Sequence, residues 1–512
     1  MDLTTRFTEL INEKYSFKGE YFVIGGAMLK GEALPGVQVK IPLKTMNRHG
    51  LIAGATGTGK TKTLQVIAEG LSKASVPVLL MDIKGDLSGI AAPGSTNDFI
   101  LDRMGKIGLS YNPSSYPVEF LTISHEKGVR MRSTVTEFGP ILMAKILGLN
   151  DTQEGVMSMI FKYCDDNHYP LLDLKDLIKV IQYISNEGKE EIEKDYGKIS
   201  TTSTGTILRK IIELQQQGAD LFFGEPSFDT DDLMRISDDG RGIINVLRVI
   251  DMQKNPKLFS TFMLGLLAEL YSTLPEEGDM DKPKLVIFID EAHLVFQEAT
   301  KALLNQIETV IKLIRSKGVG IFFCTQNPQD VPASVLSQLG LKVQHALRAF
   351  TAADRKTIKL AAQNYPETEF YNVEETLTQL GTGEAFITAL NEKGIPTPLV
   401  HTMLVAPESR MDVLTEEEIS AITNSSRLVK KYQNTIDRES AYEILHQKME
   451  RMGTEVVQQK TSSRSAKKEQ STLEKVLDHS ITKQMGRTAA NIITRSLLGA
   501  LGLTGSSSRK KK

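Results

Sequence analysis

Eight consecutive residues carry the strongest chemical signal in the chain: Gly54-Ala55-Thr56-Gly57-Thr58-Gly59-Lys60-Thr61, a complete G-x-x-x-x-G-K-[ST] phosphate loop. Its glycines let the backbone curl so that N–H groups point inward at an anion. A helix starting where the loop ends adds partial positive charge at the same spot. Gly54, Ala55, Thr56, Gly57, Thr58, Gly59, Lys60, Thr61 and Lys62 are therefore expected to bind a nucleotide, ATP with Mg²⁺. In this pattern Lys60 reaches the β- and γ-phosphates and the Thr61 hydroxyl ligates the metal. The competing reading is a chance glycine-rich turn. The apolar run Leu51-Ile52-Ala53 before the loop and the helix-forming run from Lys62 to Glu69 after it argue against that.

A second group lies far downstream. Lys284-Leu285-Val286-Ile287-Phe288-Ile289-Asp290-Glu291 is an apolar strand ending in two acids. Asp290 fits an acid that organises Mg²⁺, and Glu291 fits a base that polarises an attacking water. Many surface strands end in acids, so the pair gains its meaning from the phosphate loop upstream. Gly320-Ile321-Phe322-Phe323-Cys324-Thr325-Gln326 is a further buried strand. Its Gln326 can donate and accept at once, to a γ-phosphate and to a water; the bland alternative is a glutamine that opens a loop. Cys324 reads as a small buried hydrophobe. Phosphoryl transfer also needs positive charge on the transferring group, often an arginine from a neighbouring subunit. Arg315, Arg348 and Arg355 are the candidates, each of which also reads as an ordinary surface arginine. Arg315, just ahead of the Gln326 strand, ranks first.

These motifs must be positioned by strands buried on both faces. Val76-Pro77-Val78-Leu79-Leu80-Met81-Asp82 is one, with Lys84, Gly85 and Asp86 at its carboxyl end, where α/β proteins place ligand-handling loops. The predicted fold is α/β with a mainly parallel sheet. The expected divisions are a small N-terminal β element (1–45), a first core segment (46–137), an all-α insertion (138–240), a second core segment (241–408) and a helical C-terminal region with a basic tail (409–512). Residues 460–512 hold twelve Lys and Arg against three Asp and Glu. In that tail Lys467, Lys468, Arg495 and Arg509 to Lys512 could grip phosphates. An amphipathic helix over Val476–Leu503, through Ile492, Ile493, Leu497, Leu498 and Leu501, could pack on a neighbour or a membrane surface. A solvated tail with one docked helix is the simpler expectation.

At 512 residues the chain can bury a large core, and its net charge of −2 gives no global basic field. Two distant cysteines argue against a disulfide framework or a zinc site and suit a reducing compartment. The amino terminus lacks a signal-peptide pattern, and no apolar stretch approaches a bilayer span. A cytoplasmic location is expected.

Together these residues resemble the HerA/FtsK superfamily of P-loop motors, and specifically bacterial HerA-like helicase proteins. The match runs through Arg48 to Thr61, Met81 to Leu87, Ile289 to His293, Ile314 to Gly318 and Thr325 to Pro332, and covers most of residues 20–405. The resemblance implies a RecA-like sheet with the Gln326 strand between the two nucleotide-binding strands. It also implies a homo-oligomeric ring, a hexamer, with ATP hydrolysed at subunit interfaces and DNA as the track. The N-terminal β region is too short for the full barrel of archaeal relatives, where a nuclease partner docks, so the resemblance does not carry that partner over.

The leading function is an ATP-driven DNA translocase or helicase. An alternative of another class is an ATP-driven oligomeric switch or scaffold that regulates a partner effector. A small-molecule kinase is disfavoured by the length, the Asp-Glu pair and the interface-type arginine. Asp290-Glu291-Ala292-His293 also spells the box of two-domain RNA helicases. Those enzymes need a second sheet-forming domain downstream, and the sequence after Gln326 has no stretch long enough.

Overall fold

Continuous apolar runs become the central strands of one sheet. The structure, a computed structural model, describes residues 2–254, 256–278, 280–296, 301–436 and 438–462. The basic tail residues Lys467, Lys468, Arg495 and Arg509 to Lys512, and the amphipathic helix expected over Val476–Leu503, lie outside the described residues.

The strands are β1 (Tyr21–Leu29), β2 (Glu32–Pro42), β3 (Gly50–Ala53), β4 (Val78–Asp82), β5 (Val118–Thr122), β6 (Val129–Arg130), β7 (Ile244–Arg248), β8 (Leu285–Ile289), β9 (Val319–Thr325), β10 (Leu341–Gln344), β11 (Glu384–Thr388) and β12 (Val400–Leu404). They form one sheet in the order β2-β1-β12-β11-β10-β3-β9-β8-β4-β7-β5-β6. From β10 to β6 every neighbouring pair is parallel. From β10 outward through β11, β12, β1 and β2 the pairing is antiparallel. Every residue of β3, β4, β7, β8 and β9 is buried, as expected of parallel strands covered on both faces.

The mainly parallel α/β architecture is as expected. So is the placing of β9 between β3, which leads into the phosphate loop, and β8, which leads into Asp290 and Glu291. The N-terminal β element is a hairpin, β1–β2, that joins this same sheet by pairing β1 with β12. Ahead of it lies helix α1 (Leu3–Lys14), which periodicity did not reveal; it buries only Phe7 and Ile11. Helix α2 (Lys60–Lys73) follows the phosphate loop. A Cβ at its Gly70 would meet the Phe22 ring at 2.7 Å, so glycine permits the close approach of α2 to β1.

The described chain divides into two compact units. Residues 1–131 and 228–433 form the first, which holds every strand. The second takes residues 132–227 together with the described residues of 434–462. Within the second unit, helices run over Val135–Ile146, Asp151–Asp166, Leu174–Ser185, Lys189–Tyr196, Thr201–Gln216 and Ala441–Ser462. The last is anchored where Tyr442 N donates to Asp176 Oδ1 at 2.8 Å.

Candidate nucleotide-binding site

The phosphate loop hangs between β3 and α2 and is fastened on both sides. Gly54 N donates to Thr325 O at 3.2 Å, and Ala55 N donates to Ala346 O at 2.8 Å. A Cβ at Gly54 would lie 2.5 Å from His345 Cβ, so only glycine fits against the backbone and Cβ of His345. His345 Nε2 lies 2.8 Å from Thr63 Oγ1. Burial, reinforced by Lys60, pushes the imidazole pKa down to about 3, so His345 braces the loop as a neutral group. Gly59 sits at φ +110°, a conformation open to glycine, and turns the chain into α2. Thr58 Oγ1 and Lys60 Nζ both donate to Ala55 O, at 2.7 and 3.1 Å, while Thr56 and Gly57 are exposed at the tip. Burial, and then Lys84, lower the Lys60 pKa.

The two acids follow β8 directly. Asp290 and Glu291 are both buried, and burial raises the Asp290 carboxyl to about 6 against the opposing pull of Lys84. Glu291 has φ +46°, unusual for a residue with a side chain and characteristic of strained functional positions. Ala292 N donates to Cys324 O at 2.9 Å and ties this turn to β9. The tips of β3, β9 and β8 are thus stitched side by side. Gln326, exposed, comes immediately after Thr325 at the middle tip.

The neighbouring β4 supplies residues that sequence reasoning placed but gave no role. Asp82 accepts from the amides of Gly85, Asp86 and Leu87 at 2.7, 3.1 and 3.3 Å, fixing the turn after β4. Burial, and then Asp86, raise the Asp82 carboxyl to about 7. Thr61 Oγ1 donates to Asp86 Oδ2 at 3.2 Å. Lys84 Nζ pairs with Glu291 Oε1 and lies 3.9 Å from Asp290 Oδ2. Three buried carboxylate oxygens, Asp86 Oδ1, Asp290 Oδ2 and Glu291 Oε2, have no hydrogen-bond partner. The Thr61 hydroxyl with the carboxylates of Asp86 and Asp290 is the kind of oxygen set that suits a hard, partly hydrated cation shared with phosphates. Among the described residues no group of three or more His, Cys, Asp or Glu is placed to hold a metal ion by itself.

The arginines separate. Arg315 is exposed and precedes β9 at its amino end, whereas Gln326 follows its carboxyl end. Seven residues of strand, roughly 20 Å, lie between those two ends. Arg348 is exposed just past β10, at the same sheet edge as the phosphate loop, and Nη1 donates to Thr378 O at 2.9 Å. Arg355 is exposed on the helix Ala352–Gln363.

The family described as "Helicase HerA-like C-terminal" matches residues 27–490, a span that includes every residue placed above. The chain belongs to the HerA-like helicase C-terminal family. It is 23% identical over 357 residues to the DNA double-strand break repair helicase HerA of Sulfolobus acidocaldarius, covering 69% of this chain and 64% of that protein. The protein of the same name from Sulfurisphaera tokodaii is 22% identical, with the same coverage. The chain thus spans about 64% of the length of these curated relatives. Its fold is similar to that of the bacterial conjugative coupling protein TrwBdeltaN70 in complex with sulphate. That match has TM-score 0.51 and 15% identity, over 80% of this HerA-like chain and 94% of the other.

Proposed function

We propose that this protein hydrolyses ATP and uses the cycle to drive translocation on DNA as a homo-oligomeric ring, a hexamer, with ATP held between subunits. The observation that carries this reading is the stitching of the β3, β9 and β8 tips, which sets the phosphate loop, Gln326 and the Asp290–Glu291 pair at one edge of the sheet. Family membership and relatives named as DNA double-strand break repair helicases support DNA as the track.

In this account the backbone of Gly54 to Lys62 cradles the phosphates and Lys60 neutralises their charge. Thr61 and Asp290 hold Mg²⁺, which when bound supplies charge neutralisation on the β- and γ-oxygens. Glu291 accepts the proton of the attacking water. Gln326 reaches the γ-phosphate and that water together. Arg315, at the far end of β9, serves the nucleotide of an adjacent subunit. The buried, unpaired Cys164 and Cys324 support a reducing, cytoplasmic setting.

The test is ATP turnover with and without DNA, measured alongside particle mass in ATP. DNA-stimulated turnover in a ring-sized particle is the expected result. The absence of turnover would sink the proposal. Stimulation by a protein partner and not by DNA would replace the motor with an oligomeric switch.

A further inference from the structure

Lys84 belongs to a turn whose geometry is imposed from three directions. Asp82 holds the amides of Gly85, Asp86 and Leu87, so the backbone leaving β4 has one course. Gly85 adopts φ +78°, and a Cβ there would meet Ile250 Cδ1 at 2.6 Å, so glycine is what lets the turn pass this close to Ile250. β4 runs parallel to β8 with Met81 opposite Ile289, which brings the residues after the two strands alongside each other. The result is an ammonium on Glu291 Oε1, 3.9 Å from Asp290 Oδ2.

This is not an ordinary surface pair, which would be worth little. The side chains of Asp290 and Glu291 are 6% and 8% exposed and that of Lys84 35%. Burial pulls the Lys84 pKa down, but Asp290 and Glu291 outweigh it and the net direction is up. A second lysine, Lys60, stands close enough for Lys84 to lower its pKa. The site therefore spends two cations on two tasks. Lys60 is on the loop, and Lys84 is on the acid pair. Glu291 Oε1 is engaged while Oε2, 3.0 Å from His293 Nδ1, makes no hydrogen bond.

We propose that Lys84 is a positioning residue for Glu291: by holding Oε1 it fixes the carboxylate's rotation and leaves Oε2 as the oxygen that receives a proton from water. The inference rests on the reading of Glu291 as the base.

The experiment compares Lys84→Met, Lys84→Gln and Lys84→Arg in the full chain. It reads ATP affinity from a fluorescent-nucleotide titration, kcat from steady-state turnover, and folding from the melting temperature. Lys84→Met and Lys84→Gln are expected to lower kcat at least about 10-fold while nucleotide affinity stays within about 3-fold, because orientation and not binding is lost. Lys84→Arg restores most of the rate. In a Glu291→Gln background, adding Lys84→Met changes the residual single-turnover rate by less than about 2-fold, since residues acting as one unit are not additive.

Wild-type kcat in Lys84→Met and Lys84→Gln overturns the inference. So does an equal cost in both backgrounds, which would show that Lys84 acts independently of Glu291, or loss of affinity at unchanged melting temperature, which would make Lys84 a direct phosphate ligand. If Glu291→Gln alone turned over at the wild-type rate, the assignment of the base would fail instead, and the two failures are separable.

Discussion

The amide of Gly54 donates to the carbonyl of Thr325 at 3.2 Å, so the first residue of the phosphate loop is bonded to the residue immediately before Gln326. On the other side of β9, Ala292, next to Glu291, donates to Cys324. β9 is thus hydrogen-bonded to both the loop and the turn that carries the acid pair, and Gln326 is the next residue after it.

Gln326→Ala should therefore leave ATP binding within about 3-fold and lower hydrolysis at least about 10-fold, the cost of removing a polar group that acts only as the reaction proceeds. Parallel measurement of nucleotide affinity and turnover checks it. A variant that hydrolyses ATP normally would reduce Gln326 to a loop residue.

Lys60→Ala should abolish nucleotide binding or hydrolysis. It removes a buried ammonium from a loop that otherwise offers an anion mainly backbone amides. Near-normal turnover would reject the phosphate-loop assignment.

Glu291→Gln keeps the shape and loses the base. ATP binding should persist while turnover falls by roughly 10²–10⁴, the range for a positioned proton acceptor. Loss of binding along with turnover would show that the carboxylate instead holds the metal or the loop.

Much of this site was legible because its residues are local in sequence. Gly54 to Thr61 is one uninterrupted loop, and Asp290 and Glu291 end one apolar run. The strands behind them are uniformly apolar, as doubly covered strands must be. What could not be read was whatever depends on distant segments meeting. His345 packs against Gly54 and meets Thr63 Oγ1 from a point far along the chain, and nothing in its local sequence marks it. Lys84 was visible at a strand end, but its partner Glu291 is set by the β4–β8 register. Helix α1 leaves no periodic stripe in the sequence because only two of its residues are buried.

Arg315 and Gln326 stand at opposite ends of β9. If Arg315 serves an adjacent subunit, Arg315→Ala should lose hydrolysis alone and recover it in mixed rings. The complementing subunit would be catalytically dead through Lys60→Ala but would still carry Arg315. Turnover plotted against mixing ratio should rise to a maximum between the two pure forms. A plot without that rise removes the arginine from the site.

Glu69 gives a prediction that does not depend on the chemistry. Buried on α2, its carboxylate accepts from Glu408 N at 2.9 Å and Ser409 N at 3.0 Å, and burial raises its pKa from 4.5 to about 7. The folded chain then keeps a proton that the unfolded chain releases between about pH 4.5 and 7, so stability falls as pH rises through that window and levels off above it. Its share is on the order of 3 kcal/mol. Asp82 acts in the same direction. Urea unfolding at pH 5 and pH 8 should show a smaller difference for Glu69→Gln than for the wild type, and an unchanged difference would contradict this.

The most direct measurement is a structure determined with Mg²⁺ and a non-hydrolysable ATP analogue. The account predicts the triphosphate within the Gly54–Lys62 cradle and the metal about 2.1 Å from Thr61 Oγ1. It also predicts Asp290 in the metal's hydration sphere, with Glu291 and Gln326 both facing the γ-phosphate. A nucleotide bound elsewhere, or Thr61, Asp290 and Gln326 turned toward different ligands, would contradict it.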